Sequence, residues 1–212
     1  MTLNYQQIVK ESGLPWLPLE IPIPRQEMLE EALAIKHLFV AHRDQDFQGG
    51  YRHKGWKSLC IHGISAEKTN HFTQYGYKSN EDAPYNWTEI AELCPATTTF
   101  FKERYPMADY YRVRFMLLEP GGFISPHVDT EKPSLSPVNI ALNHPKGCNM
   151  KMKGHDGYVP FTPGDSMLLD VGNTHAYLNK SDEDRYHIIV HGVHSKEYEE
   201  LVERSYEKNG IR

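Results

Sequence analysis

Apolar and polar positions alternate most cleanly between Tyr110 and Glu119. Val113, Phe115 and Leu117 fall on one side of an extended chain, and Arg112, Arg114 and Met116 on the other, which predicts a strand. Pro120-Gly121-Gly122 predicts a turn, and Pro126-His127-Val128-Asp129 follows it. Further on, short alternating runs recur at Val138–Asn143, Asn149–Lys153, Tyr158–Phe161, Ser166–Val171, Ala176–Asn179 and Tyr186–Val193. Between them lie His144-Pro145-Lys146-Gly147, Gly154–Gly157, Pro163-Gly164-Asp165, Gly172-Asn173 and Lys180–Asp184, all rich in turn-forming residues. Many short strands separated this way predict a sandwich or barrel of the jelly-roll kind.

The first half reads differently. Pro15, Pro18, Pro22 and Pro24 preclude a regular helix from Leu14 to Pro24 and predict an extended arm. Met28, Leu29, Ala32, Ile35 and Phe39 recur at helical spacing among Glu27, Glu30, Glu31 and Lys36, predicting a supporting helix from Arg25 to about His42. Gly49-Gly50 marks a turn, and Trp56–Gly63 alternates as a strand. Residues 65–86 are polar and weakly patterned, and suit either a lid or a plain surface loop. Trp87–Leu93 and Thr97–Tyr105 predict two short helices, with Pro95 at a helix start. The charged tail from Ser195 to Lys208 predicts a last helix. There is no internal repeat, low-complexity run or linker.

Composition narrows the function classes. The 28 acidic against 23 basic residues give a net charge of −5, which argues against broad electrostatic binding of nucleic acid. No apolar run suits a signal peptide or a membrane span. Cys60, Cys94 and Cys148 are widely spaced with no CxxC pair, as expected of free thiols in a reducing cytoplasm. Most of the 12 histidines, His37, His42, His53, His62, His71, His144, His155 and His194 among them, read as surface or hydrogen-bonded residues.

His127 and Asp129 are different. In an extended segment they point the same way, so they can hold two adjacent positions of one metal ion. His175, at the start of a predicted strand, completes a two-histidine, one-carboxylate set suited to ferrous iron with open positions for a cosubstrate and dioxygen. Arg185 opens the next predicted strand, where a guanidinium can grip a carboxylate in a bidentate pair. The alternative for Arg185 is a surface salt bridge to Asp182, Glu183 or Asp184. Arg114 either reaches into the site and grips an acidic substrate or faces solvent. Trp56 suits a pocket wall or a core position.

These residues resemble the aspartyl/asparaginyl β-hydroxylase family of iron(II)- and 2-oxoglutarate-dependent oxygenases. The resemblance spans Cys94 to Ser195. It is carried by Cys94-Pro95-x-Thr97, the run Arg112 to Gly121, Pro126-His127, His144-Pro145-Lys146-Gly147-Cys148, Gly164-Asp165, His175 and Arg185. It implies that His127 and His175 are iron ligands and that Arg185 pairs with the distal carboxylate of 2-oxoglutarate. Asn139 falls where the family often has a histidine beside the other carboxylate, and Met116 where some members have a serine beside the distal one. With that hydroxyl absent, Arg185 needs another partner, for which Tyr177 and His187 are candidates. Some members lack a carboxylate at the position of Asp129; here it is present.

The expected fold is mainly β with supporting helices, a double-stranded β-helix (jelly roll, cupin-like). A single domain over 1–212 is expected, with arm and helices in 1–105, the β core in 106–194 and a helix in 195–212. The expected activity is 2-oxoglutarate-dependent hydroxylation of an Asp or Asn side chain in a protein, or of a free amino-acid-like molecule. Two alternatives stay open: a jelly-roll metalloenzyme that uses no oxo acid, and a non-catalytic binding module.

Overall fold

The alternation around Val113 belongs to a strand far longer than its pattern announces. The computed structural model describes residues 8, 11–43, 51–130 and 135–209. The predicted turn at Gly49-Gly50 lies outside them. The strands are β1 (Trp16–Pro18), β2 (Val40–Ala41), β3 (His53–Gly63), β4 (Asn86–Trp87), β5 (Met107–His127), β6 (Leu135–Ala141), β7 (Cys148–Met152), β8 (Ser166–Asp170), β9 (His175–Asn179) and β10 (Arg185–His194). The helices are α1 (Arg25–Ala34), α2 (Ile90–Leu93), α3 (Pro95–Glu103) and α4 (Lys196–Asn209).

All pairings are antiparallel, in the order β1-β8-β6-β10-β5-β3-β2, with β4 beside β3 and β9 between β7 and β5. The first half of β5 pairs with β10, His191 opposite Arg112 and Arg185 opposite Leu118. Its far end leaves β10 and pairs with β9, where His127 stands opposite His175. β3 follows β5 through the same change of direction, Ser58 opposite Met116 and His53 opposite Ile124. Two strands thus pass from one wing of the sheet to the other, and the wings enclose a space, as in a double-stranded β-helix.

Pro120-Gly121-Gly122 does not end the strand; it bends it. Gly121 has φ +69, a conformation that glycine adopts without strain. At Gly122 a Cβ would sit 2.7 Å from the Glu119 carbonyl oxygen and 2.9 Å from that of Lys54, so only hydrogen fits where β3 and β5 cross the corner.

The two sides of the β5–β10 pair have different fates. Val113, Phe115, Leu117, Tyr186, Ile188 and Val190 pack with Met28, Ala32, Phe100, Phe101, Tyr198 and Leu201 from the helices. Arg112, Arg114 and Met116 face the enclosed space with Arg185, His187 and His191, the residues across the ladder from this side of β5.

Several boundaries move. The helix from Arg25 stops at Ala34, followed by a 3-10 turn at Lys36–Leu38 and by β2, so Phe39 is buried from extended backbone. Asn86-Trp87 pairs with His62 and Gly63 instead of opening a helix. Tyr158–Phe161 forms no strand, although the Val159 N–H donates to the Met150 carbonyl at 3.0 Å. Cys60, Cys94 and Cys148 are buried free thiols. No helix among the described residues is long and apolar enough to cross a membrane.

Glu31 looks like a solvent-facing residue of α1 in the sequence, yet it caps another helix. Its carboxylate accepts from the backbone N–H of Ala96 at 2.6 Å and of Thr97 at 3.0 Å, and from the Thr97 hydroxyl at 2.6 Å. These are donors that the first turn of α3 cannot satisfy internally. Glu31→Ala is expected to lower unfolding free energy by about 1–2 kcal/mol, read from urea denaturation. An unchanged midpoint would show that the cap contributes nothing.

Candidate metal centre

His127 is the last residue of β5 and His175 the first of β9, so one ladder rung brings them together. The strand ends before Asp129, whose backbone N–H donates to the Val171 carbonyl at 2.9 Å. Asp129 therefore converges from the turn beyond the strand, not along its face as the extended pattern implies. Its carboxylate oxygens lie 3.5 Å from His127 Nε2 and 3.8 Å from His175 Nε2. One donor atom from each residue lies within 4.8 Å of the other two. Ligands bound at right angles to one ion sit about 3 Å apart, so a small contraction onto a cation suffices.

Both imidazoles are set for that role. His127 Nδ1 is 2.9 Å from the Ser125 carbonyl, and His175 Nδ1 is 2.9 Å from the Asn173 carbonyl. A carbonyl only accepts, so each Nδ1 carries the hydrogen and each Nε2 keeps its lone pair for a metal. Burial, then the neighbouring His175, pulls the His127 pKa well below the usual histidine range, which keeps the ring neutral. Tyr51 stacks on His127 with centroids 3.6 Å apart, and the Arg43 guanidinium lies 4.6 Å from the Tyr51 centroid.

Arg185 is buried and, among the described residues, makes no salt bridge; Asp184 pairs with Lys36 instead. The guanidinium lies 4.7 Å from the Tyr177 ring centroid and 5.8 Å from that of Phe161. Its Nη2 is 2.8 Å from His187 Nδ1. Arginine only donates, so His187 accepts there and carries its hydrogen on Nε2. Arg185 Nε and His187 Nε2 are then buried donors without an acceptor. A carboxylate is the chemical group that fits such a pair. Burial pushes the Tyr177 hydroxyl up to about 12.

Asn139 is buried on β6 between Ile189 and Met167, and Met116 is buried on β5 between His187 and Ser58. Met116, Asp129, Arg114 and Trp56 share the lining of a cavity of about 530 Å³. Arg114 thus points inward, its Nη1 donating to the Thr69 carbonyl at 2.6 Å. Trp56 is both wall and packing residue, 4.1 Å from the His42 ring and packed against Leu118, Ile124 and Cys148. His191 also lines this cavity, as do Arg43, Tyr51 and Arg112, which were not singled out from sequence. The i, i+2 relation of Arg112 to Arg114 was the available signal. His42 was read as an ordinary histidine; it hydrogen-bonds Ser58 Oγ at 2.8 Å while lining the same space. From the 65–86 segment, Asn70, His71 and Asn80 reach the cavity.

Burial holds His42, His187 and His191 well below the usual histidine pKa. The unfolded chain therefore binds protons that the folded one refuses. Stability should be full above about pH 6.5 and fall as pH drops from there toward the depressed values, by up to about 1.4 kcal/mol per histidine per pH unit. Urea unfolding of the metal-free protein at pH 7.5, 6.5 and 5.5 checks this; constant stability across that range would contradict the neutral assignment.

A sequence model described as aspartyl/asparaginyl beta-hydroxylase matches residues 25–195. No curated protein matches the chain by sequence. Among solved structures, the chain is similar to a Pseudomonas putida prolyl-4-hydroxylase at 14% identity and TM-score 0.46, covering 91% of this chain and 100% of that one. It is similar to a Trichoplax adhaerens prolyl hydroxylase, solved with a hypoxia inducible factor oxygen degradation domain peptide, at 13% identity and TM-score 0.48, covering 92% and 89%. A third similar structure is the viral collagen prolyl hydroxylase of Paramecium Bursaria Chlorella virus-1 in its 2-oxoglutarate complex, at 11% identity and TM-score 0.42, covering 85% and 96%.

Proposed function

The chain belongs to the aspartyl/asparaginyl β-hydroxylase family, and from that premise we propose that it is an iron(II)- and 2-oxoglutarate-dependent dioxygenase that hydroxylates a C–H bond of an Asp or Asn side chain, or of a related amino-acid-like substrate. The observation that carries this reading is the convergence of His127, Asp129 and His175 to within 4.8 Å. Their donor set, two neutral imidazoles and one carboxylate, fits ferrous iron.

Ferrous iron held there, with 2-oxoglutarate and dioxygen, supplies the oxidising chemistry that puts a hydroxyl on carbon. The chain's own part is positional. The Ser125 and Asn173 carbonyls fix the tautomers, so Nε2 of both rings would be free to hold the ion. Arg185 and His187 offer unpaired donors to the distal carboxylate of the cosubstrate, and Tyr177 covers the guanidinium. His187 thereby takes over the support that a serine hydroxyl at the position of Met116 would give. Asn139 and Met116 bound the cosubstrate space from β6 and β5. Arg114 and Trp56 belong to the substrate side, in the cavity that Asp129 also lines. The Phe161 and Tyr177 rings beside the Arg185 guanidinium shield it from water, which strengthens its charged contact.

Incubation with Fe(II), 2-oxoglutarate and ascorbate, against free amino acids and Asp- or Asn-containing peptides, should release succinate in step with substrate hydroxylation. Arg185→Ala should lower 2-oxoglutarate turnover at least about 100-fold through loss of a buried charge pair, while leaving Fe(II) binding intact. His175→Ala should lose Fe(II) binding itself. Undiminished turnover in Arg185→Ala would sink the oxo-acid assignment.

A further inference from the structure

The cavity beside the triad is lined by more positive charge than a neutral side chain requires. Arg112 and Arg114 stand two residues apart on β5, on the same side of the strand, and both line it together with Arg43. Arg114 is buried and Arg112 half-buried. Among the described residues, no ion pair engages any of the three. The Nε of each is buried with no hydrogen-bond partner. Asp129 is the one carboxylate among the described lining residues, and its oxygens face the two metal-site histidines.

Burying a guanidinium without a counter-charge is costly, and two neighbouring ones repel each other as well. Both effects act on Arg114: burial and the adjacent Arg112 pull its pKa down to about 9. A site that retains such a pair is built for an anion that arrives from outside. Arginine's planar fork suits carboxylates, which it binds with two parallel hydrogen bonds.

The cosubstrate is not that anion. Arg185 stands opposite Leu118 and Arg114 opposite Ile189, so the two residues are four positions apart along the β5–β10 ladder, about 13 Å of backbone. Asp129 lines the Arg114 side of this space. The inner face therefore has two separate anion-binding poles, one for the cosubstrate and one for the molecule to be oxidised.

We propose that the Arg112–Arg114 pole, with Arg43, selects a substrate carrying two carboxylate groups, and discriminates against the corresponding amide. This rests on the reading of the triad as the metal centre and narrows it to acidic substrates. The cavity, about 530 Å³, is of the size that takes a small organic ligand.

The test is calorimetric binding of N-acetyl-L-aspartate and N-acetyl-L-asparagine, which differ by one negative charge, to protein loaded with Mn(II) and N-oxalylglycine. Those two additives fill the metal and cosubstrate positions, so the acids report on the arginine pole alone. Wild type should bind the diacid at least about tenfold more tightly than the amide, the value of one charged hydrogen-bonded pair. Arg114→Gln should erase that preference while N-oxalylglycine still binds, and Arg114→Lys should keep part of it. Should Arg114→Gln lose N-oxalylglycine binding through misfolding, Arg112→Gln gives the same reading. Equal binding of the two acids, no binding of either, or a preference that survives both glutamine variants overturns the proposal. Failure of wild type to take up Mn(II) and N-oxalylglycine would instead overturn the metal-centre reading. The diacid-to-amide ratio, measured without them, still decides the charge selection.

Discussion

Register along β5 is the constraint on which the molecule depends. One strand pairs with β10 over its first half and with β9 at its end, so a single alignment decides which side chains meet in both wings. Slipping it by one residue would turn Arg112, Arg114 and Met116 toward the helices and drive Val113, Phe115 and Leu117 into the enclosed space. The same slip would part His127 from His175. Fold and site are therefore specified by one set of backbone hydrogen bonds, and the corner at Gly121-Gly122 keeps the two halves in one alignment while changing their direction.

Electrostatics on the inner face follow a consistent rule: arginines stay charged and histidines stay neutral. His42, His187 and His191 are buried close to Arg114, Arg185 or Arg112, and each guanidinium adds to burial in suppressing the protonated imidazole. A neutral histidine can accept from arginine, which is how His187 orients Arg185 at 2.8 Å. Permanent positive charge is thereby concentrated at two guanidinium poles, while the carboxylate of Asp129 faces His127 and His175. Away from the His127, Asp129 and His175 triad, such a face favours anions.

Much of this was legible in the chain. Alternation around Val113 separated the two faces of the strand, because period-two patterning survives burial of both sides, but did not say which of them faces the enclosed space. The His127-x-Asp129 spacing, with His175 at the head of a later strand, named three residues that the fold brings within 4.8 Å of one another, and Arg185, read from the head of the strand after it, is buried. The extent of β5 was not legible, because Pro120-Gly121-Gly122 has the composition of a turn and only the partner strand shows that it is a bend. Trp87 looked helical and is paired with His62, a tertiary contact overriding local propensity. Arg43 and Tyr51 escaped notice for a simpler reason: what makes them functional candidates is convergence on one cavity, and nothing in their local spacing reports it.

The position of β10 has one further consequence. It is the last strand of the described chain, yet it lies inside the sheet, between β5 and β6. As the polypeptide leaves the ribosome, β5 and β6 have no neighbour to join them until residues 185–194 emerge. The hydrogen-bonding edges of both strands stay open for that interval, and the enclosed space lacks one side. Arg185, His187 and His191 arrive with the same strand, so the inner face they line and the closed sheet come into being in a single late event of synthesis.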